Sequence, residues 1–393
     1  MTNKTAYAKS SRTRISRVSL PPSLTVSVAT ASTHNTVVVK SSFAQELPEF
    51  DDHRLLTFLH DPVTGLRSFV AIHRGGILAP AFGATRFLHY ENESAAARDA
   101  LRLARTMSYK SAVAGLPYGG AKGVIMAPVR TLPSSKKMAV LRQYATHLNY
   151  FRGAFITGTD VGIHKKELDA MHRNTRHLVG FRVSPEEYTA IGVIRSIEST
   201  LDALFRSSRI RGRSFAVQGL GKVGFRVASR LADAGAILYV SDIDDSVVSD
   251  FKKCYPNANI VAPKDIHAMT VDIFVPCALY GVLNEKTIPQ LQCGAVVGAA
   301  NNQLSDLSVA SLLTKRHVLY IPDYVVNAGG LISVAEEYGH EQMSPTALDR
   351  LILDKVNAIG DTVHHIIAQA KRSKKTPLAI SNNIAESIFN KIV

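Results

Sequence analysis

Apolar and polar positions along this chain follow two rhythms, and the switches between them mark its elements. Residues 68–73 (Ser-Phe-Val-Ala-Ile-His) form a short apolar run before Gly75-Gly76, the pattern of a strand and its turn. Residues 79–87 read as a second extended piece. Across 94–114 the alanine-rich sequence takes helical spacing, and Gly115 followed by Pro117 supplies the stop. Residues 136–151 predict another helix, and 154–162 a strand running into a loop. Ser184-Pro185-Glu186-Glu187 combines a capping serine, proline in first position and a nearby glutamate, so a helix starts there and runs towards Leu204. Strand 214–218, helix 225–234 and strand 237–242 follow. Further strands at 272–278, 295–302 and 318–321 fit a continuing parallel sheet. Gly329-Gly330 divides 324–328 from a helical run beginning near Leu331. Leu348, Ile352, Val356, Ile359, Val363 and Ile367 then repeat at helical spacing, the stripe of a helix that packs rather than catalyses.

Composition narrows the class. At 393 residues the chain is long enough for two domains, its 46% hydrophobic content is ordinary for a globular protein, and no apolar run would span a bilayer. Three widely spaced cysteines, Cys254, Cys277 and Cys293, form no CxxC pair, so buried reduced thiols are expected and neither a metal site nor a disulfide. The formal charge of +14 would suit a nucleic-acid partner, but its distribution weakens that reading. Six cations and no acid fall within residues 1–45, and the rest are spread thinly. The densest later cluster, Lys371-Arg372-Ser373-Lys374-Lys375, reads as a solvated helix end. Residues 1–42 read as a disordered basic extension. Being Arg- and Ser-rich and acid-free, they also fit an organelle transit peptide. A natural tail or a start codon set too early is preferred, which places the protein in the cytoplasm with an organelle as the alternative.

Two stretches carry candidate chemistry. The first, residues 106–125, holds Lys110 and Lys122 on either side of Gly115-Leu116-Pro117, with Gly119, Gly120 and Gly123 around the second lysine. A lysine in a glycine-lined apolar setting loses hydration, which lowers its pKa towards the range of a general base. The bland alternative is an exposed lysine beside a flexible turn. The second stretch is Gly219-Leu220-Gly221-Lys222-Val223-Gly224, a GxGxxG turn between a strand and a helix, with Asp242 ending the next strand. That is the Rossmann dinucleotide fingerprint in its required context. Gly219 permits the turn, Gly221 the approach of a pyrophosphate, and Gly224 the packing of helix on strand. Asp242 would bind ribose hydroxyls and repel a 2′-phosphate, so NAD is favoured over NADP. Asp160, between glycines after an apolar run, is placed for catalysis; taken alone it reads more readily as the N-cap of a helix over 164–172.

Longer motifs connect these stretches: Met107-Ser108-Tyr109-Lys110, Gly119-Gly120-Ala121-Lys122, Thr159-Asp160-Val161-Gly162, Gly298-Ala299-Ala300-Asn301-Asn302-Gln303 and Pro322-Asp323-Tyr324-Val325-Val326-Asn327-Ala328-Gly329-Gly330. In these, from about residue 43 onward, the chain resembles the glutamate/leucine/phenylalanine/valine dehydrogenases, most closely the leucine and phenylalanine branch. The resemblance implies an α/β protein of two domains: a substrate domain over 43–182 and a Rossmann NAD domain over 183–340. Helices over 341–393 would pack back towards the first. It implies that Lys110 holds a substrate α-carboxylate, that Lys122 activates water while neutral, and that Asp160 exchanges a proton with the amino group. Gly83 and Asn302 would lie at the substrate, Ala299 and Asn301 at the cofactor, with no metal. Lys110, as a nearby cation, is expected to help keep Lys122 neutral. A homo-oligomer is expected, with neither membrane nor nucleic acid as partner. The family pattern has glycine where this chain has Ala84 and Ala121, which bears on pocket shape rather than chemistry.

The side-chain pocket of that family maps to Phe82, Gly158, Leu331 and Val334. None is charged, so a glutamate substrate is disfavoured for want of a cation. Gly158 leaves room for a large group, and Phe82 either stacks on it or fills the space. Branched aliphatic and aromatic amino acids are thus evenly favoured. The competing readings are a catalytically silent NAD-binding relative and a glutamate-type enzyme. Intact Lys110, Lys122 and Asp160 argue against silence.

Overall fold

The structure, a computed structural model, describes residues 46–75, 79–128, 132–278 and 280–389. The extension read over 1–42 lies outside them. Residues 46–50 belong to a unit separate from Asp51–Val393 and form one turn, closed by the Phe50 N–H on the Leu47 carbonyl at 2.9 Å.

Asp51–Val393 is built on two sheets, each of six strands among the described residues. The first runs β1 (Leu55–Asp61), β2 (Leu66–Ile72), β5 (Gly119–Met126), β3 (Ala81–Phe82) and β6 (Phe155–Ile156), with β4 (Thr85–Leu88) also on β5. It is mixed: β1, β2 and β5 pair antiparallel, whereas β3 and β4 lie parallel to β5. The extended piece expected over 79–87 is therefore two strands, parted at Gly83-Ala84. A Cβ on Gly83 would lie 1.6 Å from the Ala121 carbonyl oxygen, so only glycine passes there. The lysine stretch is no flexible turn. Gly119–Met126 is a strand buried along its whole length, paired on both edges.

The second sheet is wholly parallel, in the order β12 (Leu319–Tyr320), β11 (Gln292–Val296), β10 (Thr270–Pro276), β7 (Ser214–Gln218), β8 (Ile237–Ser241) and β9 (Asn259–Ile260). Its central strands bury Phe215, Val217, Val240, Ile273 and Val275 completely, which is why they read as apolar runs without alternation. The strand expected over 295–302 stops at Val296. Residues 297–302 leave the sheet as the loop that carries Ala299, Asn301 and Asn302.

Four helices pack against one another beside the sheets. Pro185–Phe205 begins as expected, with Ser184 at the cap and proline in first position. Pro345–Ser373 lies against it, and all six stripe residues from Leu348 to Ile367 are buried. The pair is close: the Ser199 hydroxyl donates to the Gly360 carbonyl at 2.8 Å. The helical run expected from near Leu331 begins at Gly329, so Gly329-Gly330 opens the helix Gly329–Gly339 and the break from the short helix Asp323–Val326 falls at Asn327-Ala328. A Cβ on Gly329 would fall 2.1 Å from the Tyr188 carbonyl oxygen, so the pair permits helix contact. The last helix, Pro377–Phe389, reaches the Glu93–Val113 helix, where Tyr109 donates to Glu386 at 2.9 Å. Cys254 is exposed, against the expectation of buried thiols; Cys277 and Cys293 are half-buried, and all three are free. Among the described residues no helix is long and apolar enough to cross a membrane.

Candidate active site

Lys110 and Lys122 reach one cavity of about 270 Å³ from different elements. Lys110 sits in the last turn of Glu93–Val113, a helix started by Asn92, whose side chain accepts from the Ala95 N–H, and ended before Gly115 at φ +67°. Burial pulls the Lys110 ammonium down to about 8; Asp323 pulls it upward and Lys122 downward. Its Nζ lies 3.4 Å from Asn301 Oδ1. Lys122 stands in the middle of β5, its side chain 7% exposed. Burial is again the largest influence and lowers it; Asp160 opposes, and the cation weighing on it is Arg86. The two lysines repel each other, as expected, but Arg86 is the cation that weighs most on Lys122. Arg86 holds the place next to Lys122, through the carboxylate they share.

Asp160 lies on the loop after β6. It does not cap the following helix, Lys165–His172, whose N-cap is His164 with Glu167 completing the capping box. Its Oδ1 accepts from its neighbour Val161 N–H at 2.8 Å, while Oδ2 touches Lys122 Nζ and takes Arg86 Nε at 3.2 Å. Burial favours the neutral acid, but Lys122 and Arg86 override it and hold the carboxyl well below its ordinary range. Asp160 is thus a carboxylate, in contact with the lysine.

The second sheet supplies the facing wall. Asn302 has a left-handed backbone (φ +52°), and its N–H donates to Asp323 Oδ2 at 2.6 Å. Asn327 Nδ2 donates to the Ala299 carbonyl and to Asn301 Oδ1, both at 3.0 Å. Asp323 is buried, and desolvation is the largest influence, raising its pKa against Asn302 and Lys110.

The glycine turn has the geometry a dinucleotide requires. Gly219 has φ +95°, and a Cβ on Gly224 would lie 1.9 Å from its carbonyl oxygen. A Cβ on Gly221 would meet nothing within 4 Å, which leaves open space where a pyrophosphate would approach. Lys222 and Val223 open the Lys222–Asp233 helix. Asp242 Oδ2 accepts from the Leu220 N–H at 2.6 Å, so its carboxylate is fixed beside the turn. The residues present fit a nicotinamide dinucleotide.

The remaining walls are apolar. Phe82 is fully buried, its ring 4.6 Å from that of Tyr118 and 5.4 Å from that of Tyr338. A Cβ on Gly158 would lie 3.2 Å from the Val179 carbonyl, so this glycine sets how near the wall comes. Lys110, Lys122, Asp160, Phe82, Gly83, Gly158, Asn302, Leu331, Val334, Ala299, Asn301 and Val223 all line the cavity. Gly219, Leu220, Gly221, Lys222, Gly224 and Asp242 lie outside its lining, along the turn. Sequence reasoning missed Arg86, Asp99, Asp323 and Asn327. Asp323 and Asn327 stood inside a quoted motif; Arg86 and Asp99 carried no signal beyond opposite charge thirteen residues apart.

Comparison with known proteins accords with this geometry. The family model described as Glu/Leu/Phe/Val dehydrogenase, dimerisation domain, matches residues 57–177, and that described as Glutamate/Leucine/Phenylalanine/Valine dehydrogenase matches 237–392. The chain is 39% identical over 344 residues to a phenylalanine dehydrogenase of Lysinibacillus sphaericus, covering 83% of this chain and 88% of the relative. It is 35% identical to a leucine dehydrogenase of Geobacillus stearothermophilus over 342 residues, covering 85% and 90%. The crystal structure of L-tryptophan dehydrogenase from Nostoc punctiforme aligns with a TM-score of 0.73 at 38% identity, covering 86% of this chain and 96% of that one.

Proposed function

The chain belongs to the glutamate/leucine/phenylalanine/valine dehydrogenase family and is an amino-acid dehydrogenase, and from that premise we propose that it deaminates an apolar L-amino acid with NAD. The products are the 2-oxo acid, ammonia and NADH, and the reaction is reversible. The observation that carries the reading is the convergence of Lys110, Lys122 and Asp160 on one cavity where Phe82, Gly158, Leu331 and Val334 are uncharged and Arg86, the further cation in the lining, is engaged by Asp160 and Asp99. The substrate domain is proposed to span 43–182 and the NAD domain 183–340, with the helices after 340 returning to the first.

The glycine turn and Asp242 would hold NAD, which would supply the hydride acceptor for the substrate α-carbon. The chain's own groups do the rest. Lys110, a point charge, fixes the α-carboxylate, with Asn302 on the facing wall. Asp160, a carboxylate, takes a proton from the substrate ammonium, and loss of hydride from the resulting amine leaves an iminium. Lys122, once neutral, takes a proton from water as the oxygen bonds to the iminium carbon. Asp160 returns its proton to the carbinolamine nitrogen, and ammonia leaves as the C=O forms and the hydroxyl proton passes to water. Phe82, Gly158, Leu331 and Val334 exclude water from the substrate side chain and offer glutamate's distal carboxylate no cation.

Branched aliphatic and aromatic side chains both suit these walls, and relatives named for phenylalanine, tryptophan and leucine support that breadth. Asp242 supports NAD over NADP, since a carboxylate fixed beside the turn repels a 2′-phosphate. Assembly as a homo-oligomer is supported by the family description of 57–177. A screen of amino acids with NAD and NADP, followed by NADH absorbance, tests the reading. Turnover of glutamate alone, or of no amino acid, would overturn it.

A further inference from the structure

We propose that Arg86 is a positioning residue whose fixed charge lets Lys122 give up its proton without leaving the Asp160 carboxylate unpaired. The inference rests on the deamination reading, which needs a neutral Lys122, but on groups that reading does not use. Arg86 lies on β4 opposite Val124 of β5, and Lys122 stands two residues before Val124. Side chains two apart on a strand share a face, so Arg86 and Lys122 are diagonal neighbours. From that position Arg86 Nε donates to Asp160 Oδ2 at 3.2 Å, the oxygen that Lys122 also touches. Its Nη1 donates to Asp99 Oδ2 at 3.1 Å. Asp99 is itself fixed, accepting Tyr90 Oη at 2.7 Å and Arg102 Nη2 at 2.6 Å. The guanidinium is therefore held at both ends, with its side chain 17% exposed.

This arrangement answers a conflict in the lysine–aspartate pair. A carboxylate in contact with Lys122 stabilises the ammonium, yet a base must be neutral. Were Lys122 the only cation at Asp160, losing its proton to solvent would strand a buried carboxylate, a state proteins avoid. Arginine stays protonated throughout the working range, so Asp160 keeps a partner in both states of the lysine. The directions of shift agree: burial lowers Lys122 most, Asp160 raises it, and Arg86 opposes Asp160. Asp99 works the other way, so Arg86 and Asp99 set the balance from opposite sides.

The test is the pH dependence of kcat/KM for oxidative deamination in wild type, Arg86→Gln, Arg86→Lys and Asp99→Asn. It is joined by the pH dependence of Lys122 modification with an amine-directed acylating reagent, read by peptide mass spectrometry. Arg86→Gln moves the acid limb upward by about one unit or more, which below the limb is about a tenfold loss in rate. The modification midpoint moves with it. Arg86→Lys restores the limb, and Asp99→Asn moves it downward. NADH binding checks that each variant is folded, and the downward shift in Asp99→Asn stands as the test should Arg86→Gln not fold. A uniform loss at every pH in Arg86→Gln with unmoved limb and midpoint, or an upward shift in Asp99→Asn, overturns the proposal. A wild type without turnover counts against deamination instead, and the modification midpoints then decide the role of Arg86 alone.

Discussion

Lys110 and Lys122 differ less in burial than in company, and the company assigns their tasks. Lys110 has Asn301 within reach and a buried aspartate as its field; Lys122 has a carboxylate in contact and an arginine behind it. Replacing Lys122 with alanine is expected to remove turnover while NADH binding persists; retained turnover would remove the lysine from its role. Because Lys122 is lowered from 10.5, deamination should rise with pH through a limb below that value. Lys110 needs its proton to hold a carboxylate, so kcat/KM should fall as pH passes about 8 in the free enzyme. A bound carboxylate keeps Lys110 charged, so kcat at saturation should lack that alkaline fall. Equal alkaline limbs in both parameters would contradict this division. At Gly158, alanine should lower kcat/KM for phenylalanine more than for valine, by about tenfold, the size of one methyl group in an apolar pocket.

At the scale of elements, glycines do two kinds of work that one substitution separates. Gly329→Ala drives a Cβ onto the Tyr188 carbonyl and should destabilise the fold by about 1–3 kcal/mol, measured by denaturant unfolding. Gly221→Ala meets open space, so stability should hold while cofactor affinity falls. Loss of stability in Gly221→Ala would mean that this glycine serves packing instead. The same contrast explains what was legible in the sequence. Strands of the parallel sheet and the long amphipathic helix were readable because burial on both faces, or on one stripe, leaves a period in the chain. β5 was not, because its glycines look like a turn until paired strands are seen on both edges. Asp160 read as a cap because a lone aspartate before a helix usually is one, and only its contacts with Lys122 on β5 and Arg86 on β4 show otherwise.

Across the whole molecule, the site is divided between two sheets. Lys122 comes from a strand of the first, with Lys110 on the helix packed against that strand and Asp160 on a loop beside it. Asn302 lies on a loop after the second, and Asp323 and Asn327 lie in and at the end of a short helix. Motifs conveyed the groups that lie in runs; pairings across 74 residues, such as Arg86 with Asp160, depend on register and could not be read. Mixed placement also means that each half can be tested alone, since the glycine turn can bind NADH when Lys122 is gone. The most direct measurement of the central claim is NADH formation by the purified protein across leucine, valine, isoleucine, phenylalanine, tryptophan and glutamate, with NAD and NADP in parallel. The account predicts turnover of apolar amino acids with NAD, little with NADP, and none in Lys122→Ala. Turnover of glutamate in preference to all of them, or equal rates in wild type and Lys122→Ala, would contradict it.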